Sequence, residues 1–136
     1  MASSSRWLAR QRVDEYVLRA AREGYRSRAA YKLQQINSRM RPPLLHAGGV
    51  ALELGAAPGS WSQVLVRNGL RVVAVDLLPM EPIEGVTFVQ GDFTDAGVQR
   101  TLLDALGTDR ADLLLSDISP NRSGNAVLDM ARIVEY

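Results

Sequence analysis

The sequence predicts an α/β domain, a parallel sheet preceded by N-terminal helices, and three observations carry that expectation. Short apolar runs recur near 50–54, 71–75, 86–90 and 112–116, with helical patterns between them, a spacing that demands parallel crossovers. A turn of small residues, Gly55-Ala56-Ala57-Pro58-Gly59-Ser60, joins the first run to an amphipathic helix pattern. Carboxylates stand at the ends of successive runs, at Asp76, Asp92 and Asp117. In open α/β sheets ligands bind at those ends.

The elements follow in order. A first helix is expected over 8–23, with Val13, Val17 and Ala20 inward and Gly24 ending it. Ser27 then reads as the cap of a second helix whose stripe is Ala29, Leu33, Ile36 and Met40. At 100° per residue, Arg28, Lys32, Gln35 and Arg39 gather on one flank of that stripe as a basic strip. Arg41-Pro42-Pro43 breaks the helix and leads to the first strand, Val50-Ala51-Leu52-Glu53-Leu54. Trp61, Val64 and Leu65 share a face of the helix near 60–68. The helix over 95–106 has Asp95 as cap, Val98, Leu102, Leu103 and Leu106 inward, and Gly107 as stop. No internal repeat or low-complexity linker interrupts the chain, so residues 1–136 read as one domain, with a basic helical region over 1–41 and a ligand-binding half-sheet over 42–136.

The turn after the first strand suits an adenosine-type ligand. Small residues at 55 to 59 let backbone approach a ligand closely, and the opening helix offers unpaired N–H groups. A dinucleotide fingerprint would place glycines at 55, 57 and 60, whereas this chain has Ala57 and Ser60 and inserts Pro58, which makes a nicotinamide dinucleotide a poor fit. Asp76 ends the next run at the distance expected of a carboxylate that accepts both ribose hydroxyls. Taken singly, the turn also reads as a plain strand-to-helix connection and Asp76 as a cap; the two together, on consecutive strand ends, favour a ligand.

Composition fits a small globular domain, with 46% hydrophobic and 23% charged residues. No cysteine is present, which excludes disulfides and thiolate metal sites, and the single His46 cannot build a metal cluster; no metal is expected. No run is long enough to span a bilayer, and a cytoplasmic location without membrane attachment is the expectation. The Arg-rich, acid-poor start keeps a mitochondrial address as the alternative. The near-neutral net charge of +1 hides a division. Residues 1–41 carry nine Arg and Lys32 against three acids, for +7, while residues 42–136 carry six Arg against twelve acids, for −6. A basic N-terminal third beside a ligand-binding half-sheet points to a phosphate backbone; a solvated helix face is the plainer alternative. Lys32 stands out because the other fifteen basic residues are all arginine. An amine is a compact point charge whose proton can be removed, unlike guanidinium.

Gly55 to Gln63, Asp76-Leu77-Leu78-Pro79-Met80, Gln90-Gly91-Asp92-Phe93 and Ser116-Asp117-Ile118-Ser119-Pro120-Asn121 closely resemble the FtsJ/RrmJ family. The Ser3-to-Leu8 start and the Arg26-to-Leu33 segment resemble that family's N-terminal region. The resemblance implies a Rossmann-like S-adenosylmethionine methyltransferase fold and methyl transfer to a ribose 2′-hydroxyl of large-subunit ribosomal RNA, at a uridine. The partner would be that RNA or the ribosomal particle, and the full-length form monomeric. It aligns Lys32 and Asp117 with the first two members of a catalytic Lys-Asp-Lys-Glu tetrad. It also assigns cofactor binding to Gly55, Gly59, Trp61, Asp76, Asp92 and Asp117, with Asp92 on the adenine side. Members of the family run on for several strands, so the C-terminal strands, with the second lysine and the glutamate, are expected to be missing here. The alternatives are a non-catalytic RNA- and cofactor-binding fragment and, further off, a nicotinamide-dependent oxidoreductase. If the family's strand order applies, the fourth strand is an edge.

Overall fold

The computed structural model describes residues 15–107 and 110–116. Four strands, β1 (Val50–Leu54), β2 (Arg71–Asp76), β3 (Val86–Gln90) and β4 (Leu113–Ser116), form one sheet in the order β3-β2-β1-β4. Every pairing is parallel, with Leu52 opposite Val73 on one side and Leu114 on the other, and Asp76 opposite Gln90. The first strand sits between the second and the fourth, and among the described residues the fourth is an edge, as expected. Helix α1 covers residues 15–23 among those described. It is followed by α2 (Ala29–Arg39), α3 (Ser60–Arg67) and α4 (Ala96–Leu106).

Alternation along the strands divides the core into two layers. Ala51, Val72 and Ala74 pack with Leu33 of α2 and Trp61, Val64 and Leu65 of α3. Leu52, Leu54, Val73 and Val75 face the other way, onto Leu102 and Leu106 of α4. Helix α4 starts where the sequence places it, because the Asp95 carboxylate accepts from the Gly97 and Val98 amides at 2.7 and 3.2 Å. It stops at Gly107, whose φ of 69° suits glycine. At the opposite end of the sheet the Asp112 carboxylate accepts from the Val50 amide at 2.8 Å, so the residue expected to open β4 instead ties β4 to the start of β1.

Three local expectations change. Val17, expected inward on the first helix, is 51% exposed, while Ala20 is buried and Val13 lies outside the described residues. In α2 the buried positions are Ala30, Tyr31 and Leu33, whereas Ile36 and Met40 are exposed. The helix is rotated relative to its simple apolar stripe because Tyr31 brings more surface to cover than Ile36 does, packing its ring on Tyr25 and Tyr16 with the Arg19 guanidinium 4.5 Å from its centroid. Arg28 rather than Ser27 holds the N-cap position, while the Ser27 hydroxyl accepts from the Ala29 amide at the start of the helix at 3.3 Å and pairs with the Ser60 hydroxyl at 2.6 Å. The expected exposed flank of Arg28, Lys32, Gln35 and Arg39 is present.

Candidate cofactor and acceptor site

The site begins with the exit from β1. Gly55 and Ala56 turn away from the sheet at φ 73° for the glycine, and their amides donate to the Val75 carbonyl at 2.9 and 3.3 Å. The turn is thereby hung on the end of β2. The same strand ends in Asp76, whose Oδ2 accepts from the Ala57 amide at 2.8 Å and whose Oδ1 accepts from the Leu78 amide at 2.9 Å. A carboxylate oxygen has two acceptor sites, so each retains one for a further donor. Gly59, at φ 115°, is the N-cap of α3, and no side chain caps that helix end. Only glycine adopts that conformation readily, and a Cβ there would meet Ile83 Cδ1 at 2.8 Å.

Asp92 follows β3, with the Gly91 amide bonded to the Asp76 carbonyl at 2.9 Å, which sets the two strand ends beside one another. Asp92 Oδ1 accepts from the Thr94 hydroxyl at 2.7 Å and the Thr94 amide at 2.9 Å. The hydroxyl bond first, and the amide second, hold the Asp92 carboxyl below its ordinary value. Asp92 Oδ2 has no partner among the described residues. Gly91 is required by packing, since a Cβ there would stand 2.7 Å from Val98 Cγ2. The acceptor set fits a nucleoside: two carboxylates that could accept from ribose hydroxyls and an exocyclic amine stand beside a turn of small residues.

Trp61 is placed differently from a simple lining residue. The residue is only 8% exposed within the core, and its Nε1 donates to the Ala29 carbonyl at 2.8 Å, so it fastens α2 to α3. Lys32 lies on the exposed side of α2, one turn after Arg28. It lines a groove of about 490 Å³ with Tyr16, Ser27, Arg28, Tyr31 and Gln35. Ser27 belongs both to this groove and, through Ser60, to the small-residue turn, which makes the two regions neighbours. Asp117 lies outside the described residues; β4 ends at the preceding Ser116.

Two contributors have roles that sequence reasoning missed. Glu53 is 1% exposed in β1, and the Ser62 hydroxyl of α3 donates to its Oε1 at 2.5 Å, so the strand before the turn and the helix after it share a buried polar bond. A lone acid inside an apolar run was the available signal. Arg26 was grouped with the basic residues, yet its guanidinium is engaged with three backbone carbonyls of the site, those of Pro58, Glu81 and Pro82.

The family model described as FtsJ-like methyltransferase matches residues 25–135. The chain belongs to the FtsJ-like methyltransferase family. It is 50% identical to the ribosomal RNA large subunit methyltransferase E of Azoarcus sp. (strain BH72), over 97% of this chain and 65% of that protein. The protein of the same name from Cupriavidus necator is also 50% identical, over 96% of this chain and 65% of its own length. A crystal structure from Plasmodium falciparum, described as a ribosomal RNA methyltransferase, superposes with a TM-score of 0.62 at 29% identity, covering 80% of this chain and 66% of that one. The chain spans 65% of the length of the curated relatives it matches. Membership sets aside the nicotinamide alternative. Among the described residues no helix is long and apolar enough to cross a membrane, and no cluster of His, Cys, Asp and Glu could hold a metal.

Proposed function

We propose that this chain binds S-adenosylmethionine and contributes to a site for methyl transfer to a ribose 2′-hydroxyl of large-subunit ribosomal RNA, at a uridine. The observation that carries the reading is the double engagement of Asp76, which reaches the Ala57 amide across the cofactor turn while keeping acceptor capacity toward it. The relatives named ribosomal RNA large subunit methyltransferase E support the RNA substrate.

Each residue has a definite task. Asp76 accepts from the ribose hydroxyls, and Asp92 accepts on the adenine side through its Oδ2. Gly55 and Gly59 keep the turn close to the ligand, and Trp61 holds α2 against it. The bound cofactor supplies an activated methyl group on a sulfonium centre. Lys32 orients the incoming hydroxyl from the groove side, and Asp117, which follows Ser116 in sequence and lies outside the described residues, would act on both the hydroxyl and the cofactor. Orientation is where the site gains most, because an alcohol is a weak nucleophile that must meet the methyl group in line. Arg28 and Arg39, exposed on the same face of α2 as Lys32, would hold phosphates of the RNA or of the ribosomal particle. The full-length protein would act as a monomer in the cytoplasm. Because the chain spans 65% of its relatives, a non-catalytic RNA- and cofactor-binding role is the second reading.

Titration of S-adenosylmethionine into the parent chain and Asp76→Ala tests the site. Loss of the charge-assisted bonds should weaken binding by about 1.5–3 kcal/mol, roughly tenfold or more. Unchanged affinity with the fold intact by circular dichroism would sink the assignment. Methyl transfer to ribosomal RNA by the chain, measured beside a full-length relative, separates the enzyme from the non-catalytic reading.

A further inference from the structure

Arg26 is the most heavily bonded cation near the cofactor turn. Its Nη1 donates to the Pro58 carbonyl at 2.9 Å and the Glu81 carbonyl at 2.6 Å, and its Nη2 donates to the Pro82 carbonyl at 3.1 Å. Its backbone amide donates to Gln63 Oε1 at 2.9 Å, and Gln63 Nε2 returns a bond to the Gly24 carbonyl at 2.9 Å. The next residue joins Ser60 through the paired hydroxyls. Two consecutive residues therefore fasten the start of α2 to the cofactor turn, to the first turn of α3 and to the segment that follows Asp76.

The chemistry selects arginine. Carbonyl oxygens brought together at one point repel one another, and a cation with several N–H groups in a planar fork satisfies them at once. Lysine offers the charge without the fork. The position of a Cβ on Gly59 would be 3.1 Å from Arg26 Nη1, so the guanidinium lies directly against the glycine that caps α3.

We propose that Arg26 is a positioning residue for S-adenosylmethionine: by bridging Pro58 to Glu81 and Pro82 it sets the opening between the glycine turn and the segment after Asp76. It is thereby separated from the RNA-facing basic strip, to which the exposed Arg28 belongs. This rests on the cofactor reading given above.

The test compares the parent chain with Arg26→Lys, Arg26→Ala and Arg28→Ala, at matched folded fraction by circular dichroism. Three quantities are read: S-adenosylmethionine affinity by calorimetry, hydrogen exchange of residues 55–63 and 77–83 without cofactor, and the salt dependence of binding to a ribosomal RNA fragment. Arg26→Lys is expected to weaken S-adenosylmethionine by roughly tenfold, as loss of bonds to a charged donor does, and to speed exchange in both segments while leaving the salt slope unchanged. Arg28→Ala is expected to flatten the salt slope and leave cofactor affinity alone. Should Arg26→Ala fail to fold, Arg26→Lys still decides, because charge is kept and only the fork is lost. A lysine variant that binds cofactor like the parent overturns the proposal, even with faster exchange, since Arg26 would then be a structural clasp alone. A flattened salt slope in Arg26→Ala with normal cofactor affinity also overturns it and returns Arg26 to the RNA strip. A parent chain that binds no S-adenosylmethionine overturns the cofactor reading, and the positioning role falls with it.

Discussion

β1 and β4 are hydrogen-bonded neighbours, and both consist mainly of leucine and other apolar residues, yet they are buried to different degrees. Ala51, Leu52, Glu53 and Leu54 are all at or below 1% exposure, while Leu113, Leu114 and Leu115 are only partly buried. β1 has β2 on one side and β4 on the other, with helices over both faces. Among the described residues β4 pairs with β1 alone. Apolar composition makes burial favourable, and only neighbours supply it. The same difference separates the two carboxylates of the site, for Asp76 ends a strand with partners on both sides and holds the turn, whereas Asp92 follows an outer strand and is tied mainly to its own loop.

The contrast is sharpest in the leucines. Leu52→Ala, at 0% exposure, should lower stability by about 2–5 kcal/mol, and Leu114→Ala in β4 by about half of that or less, in chemical denaturation. Equal losses would show β4 to be as fully enclosed as β1. Gly59→Ala should come next, at about 2–4 kcal/mol, because it combines left-handed backbone strain with a Cβ placed 2.8 Å from Ile83 Cδ1. Its thermal midpoint and its S-adenosylmethionine affinity should fall together, and an unaffected affinity would detach the α3 cap from the cofactor site. Asp95→Ala removes the cap of α4 and should cost about 0.5–2 kcal/mol, with faster exchange confined to the first turn of that helix. Spread of the effect to α3 would mean that the two layers are coupled through the sheet.

The smallest expected effect is on pH. Hydrogen bonds from Thr94 lower the Asp92 carboxyl below 3.8, and the bond from Arg19, ahead of that from Tyr31, lowers Glu23 below 4.5. A carboxyl whose folded value is depressed stabilises the fold above its unfolded value and loses that contribution as pH falls through the folded one. The thermal midpoint should therefore be flat above about pH 5 and fall slightly on acidification below about pH 4. Thr94→Ala should reduce the acid-side fall, and an identical profile in that variant would remove Asp92 from the account.

Much of this was legible in one dimension because its physics is local. Strand spacing, the caps of α4, the small-residue turn and the exposed flank carrying Arg28 and Lys32 follow from period, backbone preference and charge within a few residues of chain. Spacing singled out Asp76 and composition singled out Lys32, the family resemblance implied roles for both and for Asp92, and the structure places Asp76 against the turn. Asp117 falls outside the described residues.

What the sequence by itself determined was the order of elements, the positions of the carboxylates at strand ends and the charge asymmetry between residues 1–41 and the rest. Tertiary structure alone decided the rotation of α2, since Tyr31 is drawn inward by rings and a guanidinium from other segments. It alone turned Arg26 inward, toward carbonyls as far as 56 residues away in sequence. It alone paired Ser27 with Ser60 and Glu53 with Ser62. Hydrogen bonds are short-ranged and directional, so which distant groups an arginine, a serine or a buried glutamate meets is set by how the helices dock on the sheet, and no local pattern encodes that.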